Sequence, residues 1–372
     1  MASIRRKQLV DGTTTYLVRF RVVDGTERSK QFKRKRDADA YANLIEVDRA
    51  AGSAVDPRLG RTTVSQWWDE WWPTVTNLRR TTYARDEQYF RSHVLPTYAN
   101  VSLARIDRTD LRRWVQKLSA SKADGGSGLA PATVQKVVQV FNKCLRAALE
   151  DRRITANPLD HLPLPKIERK EMRFLTVDEV WTLADNIDQR YRAFVLVASY
   201  GGLRLGELLA LRWGRVNLLS RQVDVVETLT DVNGHLAVGP PKTRAAVRQI
   251  TLPRFVCDEL ALLAVDRPSS DDLVFRSPDG YFVRAGLFRQ RIWHDAVKKS
   301  GLEPLRIHDL RHTAISLWIA VGANHKQVAV RAGHTSVSVV LDRYGHLYPK
   351  HDDELIDNLQ QQATASRQQV PH

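Results

Sequence analysis

Six polar side chains in the second half of the chain have the types needed to cut and rejoin a phosphodiester. They are two arginines, two histidines, a lysine and a tyrosine: Arg204, Lys242, His308, Arg311, His334 and Tyr344. Two guanidiniums can each present paired donors to the nonbridging oxygens of a phosphate, and a tyrosine hydroxyl can attack the phosphorus. A site that combined them would exchange one phosphate ester for another and would keep the bond energy in a phosphotyrosine.

Taken singly, these residues have ordinary explanations. Arg204 precedes Glu207 by three positions, which is typical of an exposed helical ion pair, and a lone tyrosine at helical spacing usually belongs to a core. Against the first explanation, Gly201-Gly202 lets the backbone turn sharply before Arg204, where a helix start also offers backbone donors to an anion. His308 and Arg311 share one face of a helix start, so a phosphate could lie between them. The combination of all six favours a shared site.

Attack by a tyrosine needs help from its surroundings. Because the pKa of a tyrosine is normally near ~10, nearby cations must favour the phenolate and another group must accept the proton. His308 is the first candidate for this acceptor. His334 follows Gly333, which is expected to end a helix, and would donate a hydrogen bond to the same phosphate.

The leaving group needs a proton as well. The departing ester oxygen can take it from Lys242, which is predicted at the tip of a turn between Val238 and Arg248. Arg244 lies on the same turn and is the rival for this role. The sequence alone does not separate the two cations.

The chain resembles the tyrosine recombinases, the phage integrase family, over residues 174–350. The resemblance lies in five motifs: Gly202-Leu203-Arg204-Leu205-Gly206-Glu207, Pro241-Lys242-Thr243, His308-Asp309-Leu310-Arg311-His312, Gly333-His334 and Tyr344-Gly345-His346. It implies the tyrosine recombinase catalytic fold, Tyr344 as nucleophile, and a catalytic set completed by Arg204, Lys242, His308, Arg311 and His334, with Glu207 supporting them. His312 and His346 are interpreted as structural or supporting side chains. The chain departs from the family pattern at two places. Ala332 stands where a leucine often precedes the Gly-His pair, and Tyr200-Gly201 stands where Thr-Gly usually precedes the first arginine motif. Neither change removes a catalytic group.

Hydrophobic periodicity predicts a mainly α fold with small antiparallel β-sheets, an α+β chain of several domains. Residues 1–55 are predicted to form three strands and a helix, with turns at Asp11-Gly12 and Asp24-Gly25. Residues 62–165 are predicted to be helical, 174–350 to be mostly helical with one helix at about 204–213 and one small antiparallel sheet, and 351–372 to form a C-terminal tail. By the resemblance, the first two segments correspond to an arm-type DNA-binding domain and a core-binding domain.

Three local patterns predict buried or capped positions. The stripe Trp67, Trp68, Trp71 and Trp72 favours packing over base stacking, because four indoles carry more apolar area than a surface tolerates. Thr176 and Glu179 form a predicted capping box. Cys144 and Cys257 are too few for a disulfide framework and lie among apolar neighbours, so both are expected in the core.

The positive charge is concentrated in the first half of the chain. The net charge is +15, of which residues 1–61 contribute +6, residues 62–171 another +6 and the remaining residues +3. This distribution indicates a polyanionic partner and salt-sensitive binding. A basic cluster in the first segment is the expected DNA-facing side: Arg19, Arg21, Lys33, Arg34, Lys35 and Arg36.

No cofactor is expected from the sequence. It contains no Walker-type glycine loop, no clustered carboxylates for two magnesium ions and no zinc-ligand spacing. No run of 18 apolar residues occurs, and the N-terminus lacks a secretory signal, so a cytoplasmic protein acting on DNA in a bacterial host cell is predicted.

The leading hypothesis is a site-specific mobile-element integrase that acts on double-stranded DNA at core-type and arm-type attachment sites. The family implies a homotetramer on DNA, and a host DNA-bending protein and an excisionase are expected partners. The alternatives are a chromosome-dimer resolvase of the same family, a type IB topoisomerase, and a non-catalytic DNA-binding regulator on a recombinase fold. The first 55 residues favour the integrase over the resolvase.

Overall fold

The chain forms two compact units, Met1–Arg169 and Lys170–His372, in a computed structural model. The structure describes residues 2–8, 13–21, 27–50, 59–168, 171–264, 268–348, 356–357 and 359–364. Most elements are helices and the strands form small antiparallel sheets, so the predicted fold class is confirmed. A domain boundary between residues 55 and 62 stays a prediction. No helix in the described part combines the length and apolar character that a membrane crossing requires.

The first unit begins with an antiparallel sheet covered by one helix. The strands are β1 (Ser3–Gln8), β2 (Thr14–Arg21) and β3 (Glu27–Phe32), in the order β1-β2-β3, followed by helix α1 (Lys35–Ala50). Alternation along β2 places Val18 in the core with Ala38 and Ala42 of α1. The predicted turns at Asp11-Gly12 and Asp24-Gly25 lie outside the described residues.

The described remainder of the first unit is helical. It contains α2 (Val64–Trp71), α3 (Arg80–Tyr89), α4 (Leu95–Tyr98), α5 (Arg108–Ser119) and α6 (Pro131–Glu150), with a π-helical stretch, Phe90–Val94, between α3 and α4. A capping box between Thr63 and Gln66 starts α2. Trp67, Trp68 and Trp72 are buried, and the Trp68 ring stacks on Phe90. The interpretation of the tryptophan stripe as packing is therefore confirmed for these three side chains.

The second unit carries the motif residues. Its helices are α7 (Val177–Asn186), α8 (Arg192–Leu196), α9 (Leu205–Leu209), α10 (Arg254–Leu262), α11 (Ala285–Phe288), α12 (His294–Lys299), α13 (Ile307–Ala320), α14 (His325–Ala332) and α15 (Ser338–Tyr344). Its strands are β4 (Val216–Asn217), β5 (Gln222–Val225), β6 (Thr228–Val232), β7 (His235–Gly239) and β8 (Arg248–Thr251). The predicted capping box of Thr176 and Glu179 starts α7, and both cysteines are buried free thiols as expected.

Two sequence predictions about this unit are wrong. Its described strands form two sheets instead of one, a three-stranded sheet β4-β5-β8 and a separate hairpin β6-β7. Helix α9 ends at Leu209 and not near residue 213, because the backbone beyond it pairs with another segment. Trp213 N–H donates to Asp272 O at 2.9 Å, and Val274 N–H donates to Leu211 O at 2.8 Å.

Candidate active site

Arg204 is held at the start of α9 by its own helix and by a distant turn. Its guanidinium donates to Glu207 Oε1 at 2.8 Å and to Gly333 O at 3.0 Å. Gly202, two residues earlier, has φ +65°, and a Cβ there would lie 2.6 Å from the Trp318 ring. Only glycine satisfies both the left-handed conformation and the close contact, so the sharp turn predicted before Arg204 is confirmed.

Glu207 joins two guanidiniums inside the unit. Its other carboxylate oxygen accepts from Arg248 at 3.0 Å, and both of these side chains are almost fully buried. Burial by itself would raise the pKa of Glu207, but Arg248 and Arg204 hold it below its usual value. Arg248 also donates to Arg331 O at 2.7 Å and to Ala246 O at 2.9 Å. Because it touches three segments, Arg248 stabilises the arrangement of the whole site.

Arg311 lies at the centre of the cluster and bonds to main-chain carbonyls. Its guanidinium donates to Gly202 O at 2.5 Å and to Ala332 O. Burial, with the charges of Arg204 and Arg248, lowers the pKa of Arg311 to about 9. The side chain therefore remains positively charged at neutral pH.

Gly333 ends α14 in the left-handed conformation, φ +63°, as the sequence predicts. A Cβ on Gly333 would lie 3.1 Å from Ala245 O and from Ala246 Cα, so the backbone of the β7–β8 connection packs directly against this turn. His334 follows, and within the described residues its buried Nδ1 has no hydrogen-bond partner. Burial and the charges of Arg311 and Arg204 lower the pKa of His334 to about 4. A neutral imidazole with an unused nitrogen thus borders the arginines.

His308 occupies the first turn of α13. Asp309 caps this helix start by accepting from the backbone N–H of Arg306 at 2.8 Å. The His308 side chain is exposed. Partial desolvation and the charge of Arg311 lower the pKa of His308.

Tyr344 ends α15 and is only 1% exposed. Its hydroxyl lies 2.5 Å from Nδ1 of His312. Burial raises the pKa of Tyr344, while the positive charges of Arg311 and Arg343 oppose that rise. By contrast, the ring of Tyr348 stacks on His325, with centroids 3.9 Å apart. Of the two tyrosines, Tyr344 is the one beside Arg311.

Lys242 is exposed on the connection between β7 and β8. The predicted turn between Val238 and Arg248 is not a β-hairpin, because β7 pairs with β6 and β8 pairs with β5. The connection instead crosses from one sheet to the other through a 3₁₀ turn, Arg244–Ala246. Contact of Ala245 and Ala246 with Gly333 fixes the end of this connection beside the arginines.

The basic cluster of the first segment is largely exposed. The exposed side chains are Arg19, Lys33, Arg34, Lys35 and Arg36. The side chain of Arg21 is not among those that the structure describes. The register pairs Arg19 with Ser3 and Leu17 with Arg5. Arg5 and Lys7 therefore share the face of Arg19, opposite the face on which α1 packs. Sequence reasoning missed these two side chains, although the alternation along β1 signals them.

Sequence reasoning also missed Arg248 and the contact of His312 with Tyr344. His312 is four residues after His308, so the helical period places both on one side of α13. Which of the two meets the tyrosine depends on how α15 packs, and no local pattern reports that. Arg248 lies in a strand without a motif of its own.

The fold and the clustered arginines, histidines and tyrosine define a phosphoryl-transfer enzyme of the tyrosine recombinase class. Residues 173–351 match the model described as "Phage integrase family", and residues 63–119 match "Phage integrase, N-terminal SAM-like domain". Together the two matches cover more than half of the chain. The chain belongs to the phage integrase family of tyrosine recombinases, the DNA strand-exchange enzymes.

Several curated relatives are integrases. The ICEBs1 integrase of Bacillus subtilis is 27% identical over 294 residues, covering 74% of this chain and 77% of the relative. The putative prophage phiRv2 integrase of Mycobacterium tuberculosis is 28% identical over 337 residues, covering 88% and 86%. These similarities favour the integrase type over the resolvase and the non-catalytic regulator.

Solved structures share the fold. The Tn1549 transposon integrase in complex with a circular intermediate DNA superposes with a TM-score of 0.66 at 19% identity, over 80% of this chain and 99% of that one. A lambda integrase tetramer bound to a Holliday junction gives a TM-score of 0.58 at 16% identity, over 90% and 93%.

Proposed function

We propose that this chain cuts and rejoins DNA at attachment sites through a 3′-phosphotyrosine on Tyr344, and so integrates and excises a mobile element. The observation that carries the proposal is the position of the Tyr344 hydroxyl, which is buried against His312 and close enough to Arg311 for the guanidinium charge to oppose the rise in its pKa that burial causes. Transesterification requires at least a nucleophile to attack the phosphorus and, next to it, a cation to bind the phosphate.

The scissile phosphate binds between the arginines. Arg311 directs its remaining N–H donors at the phosphate. Arg204, whose side chain is 38% exposed, contributes the N–H groups that do not bond to Glu207 or Gly333. His308 and His334 flank them and donate hydrogen bonds to nonbridging oxygens. Because the two arginines are fixed by carbonyls and a carboxylate before DNA arrives, little reorganisation is needed as negative charge develops.

The reaction exchanges one ester for another. The bond from Tyr344 Oη to phosphorus forms while the bond from phosphorus to the 5′ oxygen breaks, leaving a 3′-phosphotyrosine and a free 5′ hydroxyl. The phenolic proton leaves with the attack, and the 5′ oxygen takes a proton from Lys242. Reversal with a different 5′ hydroxyl reseals the strand in its new connection.

Replacing Lys242 with alanine is expected to slow strand cleavage by about 10²–10⁴-fold, the usual contribution of a general acid. The rate should return when the 5′ bridging oxygen of the scissile phosphate is replaced by sulfur, because a thiolate leaves without a proton. Single-turnover formation of the covalent adduct on both duplexes measures this. Arg244→Ala is the matched variant on the same connection. If Arg244→Ala cleaves slowly and sulfur restores its rate, while sulfur does not restore the rate of Lys242→Ala, the proton comes from Arg244.

DNA binding is divided among three segments of the chain. The helical residues 62–165 and the catalytic unit act at core-type sites, and the open face of the first sheet, with Arg5, Lys7 and Arg19, binds arm-type sites. The Tn1549 and lambda integrases, whose structures contain DNA, support a double-stranded DNA partner. The excess positive charge of residues 1–61 supports phosphate contacts by this segment.

Replacing Arg19 with alanine is expected to weaken arm-site binding and to reduce the slope of log affinity against log salt concentration by about 1, the loss of one phosphate contact. Arg6→Ala is the matched control, because Arg6 pairs with Tyr16 and so lies on the face that α1 covers. Binding to end fragments of the element at several salt concentrations measures both variants. Equal effects of the two would show that only net charge matters and that the open face is not the binding surface.

Strand exchange between two duplexes needs four cleavages, so the active assembly on DNA is a homotetramer. The lambda integrase tetramer on a Holliday junction supports this stoichiometry. In the C-terminal tail, Ile356 and Leu359 are 55% and 53% exposed and are available to a neighbouring subunit. A host DNA-bending protein and an excisionase would complete the assembly and set its direction.

A further inference from the structure

Two histidines lie one helical turn apart on α13, and the second of them meets the tyrosine hydroxyl. We infer that His312, and not His308, accepts the proton of Tyr344 when the tyrosine attacks the phosphate. This inference rests on the proposed function and adds to it the residue that activates the nucleophile.

The geometry separates the two histidines. His312 Nδ1 is 2.5 Å from Tyr344 Oη, and the two residues are 5% and 1% exposed. The ring of His308 meets that of His312 edge-on, with centroids 4.8 Å apart, and its side chain is exposed. His308 is therefore free to contact DNA, while His312 is enclosed beside the hydroxyl. A general base must lie within hydrogen-bond reach of the proton that it removes, and His312 does.

The surroundings of His312 keep its imidazole neutral, so that it can accept a proton. Burial and the neighbouring His308 lower the pKa of His312 to about 4, against the opposing charge of Asp309. Arg306 on the approach to α13 and Arg343 on α15 lower it further. The imidazole is consequently neutral at neutral pH, and its Nδ1 can accept the hydrogen bond that the Tyr344 hydroxyl donates.

The proton moves only as the ester forms. In the free protein Tyr344 holds its proton firmly, because burial raises the pKa of the hydroxyl. As the bond from Oη to phosphorus forms, the phenolic oxygen loses its affinity for the proton, which passes to Nδ1. The resulting imidazolium is stabilised by the carboxylate of Asp309 and by the negative charge of the phosphate. On religation Nδ1 returns the proton to the released tyrosine.

The test uses the full-length chain and a nicked duplex copied from the end of the element that encodes it. His312→Asn places an amide oxygen near the position of Nδ1, so the variant keeps the hydrogen bond from Tyr344 but cannot take up its proton. We expect adduct formation in a single turnover to slow by about 10²–10⁴-fold, with DNA affinity and thermal unfolding close to those of the wild type.

A second variant keeps the test decisive if the first folds poorly. His312→Ala opens a space beside the hydroxyl, and added imidazole should restore adduct formation in proportion to the fraction of imidazole that is neutral, so the rescue should grow as the pH rises through its pKa. A merely structural role for His312 predicts no such dependence. The inference is overturned if His312→Asn cleaves at the wild-type rate, or if imidazole rescues His308→Ala and not His312→Ala. If the wild-type chain itself forms no adduct on this duplex, the proposed function fails instead.

Discussion

Replacing Tyr344 with phenylalanine is expected to eliminate the covalent adduct between protein and DNA while DNA binding persists. Phenylalanine fills the same buried space against the cluster of Ala314, Ile315 and Val340. It lacks only the hydroxyl, so the fold keeps its packing and loses one hydrogen bond, a cost of about 1 kcal/mol. The measurement is a denaturing gel of the chain incubated with a nicked duplex from the element's end, in parallel with a binding assay on the same duplex.

Tyr348→Phe is the matched control for this experiment. Tyr348 is four residues further on, and its ring packs on His325, not beside Arg311. We expect this variant to form the adduct at the wild-type rate. An adduct that survives in Tyr344→Phe, or that disappears in Tyr348→Phe, would show that the nucleophile has been assigned to the wrong side chain.

Replacing Arg311 with lysine is expected to reduce strand cleavage by about 10²–10³-fold, the loss typical of one preorganised donor to a developing anion. An ammonium keeps the charge but cannot bond to Gly202 O and Ala332 O and also present a fork of donors to the phosphate. The change would also leave a buried carbonyl without its partner, which costs about 1–3 kcal/mol of folding free energy. Single-turnover cleavage at saturating protein, together with thermal unfolding, separates the two effects.

Arg192→Lys provides the comparison for a partly buried arginine without a role in the reaction. Arg192 lies in the same unit but pairs with Glu259 and Asp185, so both its charge and its donors are already used. We expect this variant to lose stability without a matching loss of cleavage rate. A cleavage rate in Arg311→Lys that falls no further than in Arg192→Lys would argue against a direct contact between Arg311 and the phosphate.

The motif residues could be predicted because their function depends on residue type and on short local signals. Gly202 and Gly333 mark the turns that bring Arg204 and His334 to the site, and both turns have the conformation expected of them. Residues 222–252 were less predictable, since short strands carry little periodicity and the sequence does not reveal which of them pair. The position of Lys242 between two sheets, rather than on a hairpin, is a consequence of that pairing.

Arg248 illustrates what local patterns cannot report. It is an arginine in a short strand, yet its side chain is nearly fully buried because Glu207, from a helix 41 residues earlier, meets it at 3.0 Å. Nothing in the residues around Arg248 distinguishes this environment from a solvent-exposed one. The partnership exists only once the strand and the two turns have come together.

The partners of Arg311 are neutral carbonyls, and this affects how strongly the site attracts a DNA phosphate. Carbonyls fix a guanidinium without cancelling its charge, and the carboxylate of Glu207 is shared between Arg204 and Arg248. In the absence of DNA these three cations repel one another inside the second unit, and an anion in their midst relieves that repulsion. This repulsion lowers the folding stability of the DNA-free protein. A bound DNA phosphate removes it, so binding of the DNA backbone stabilises the second unit.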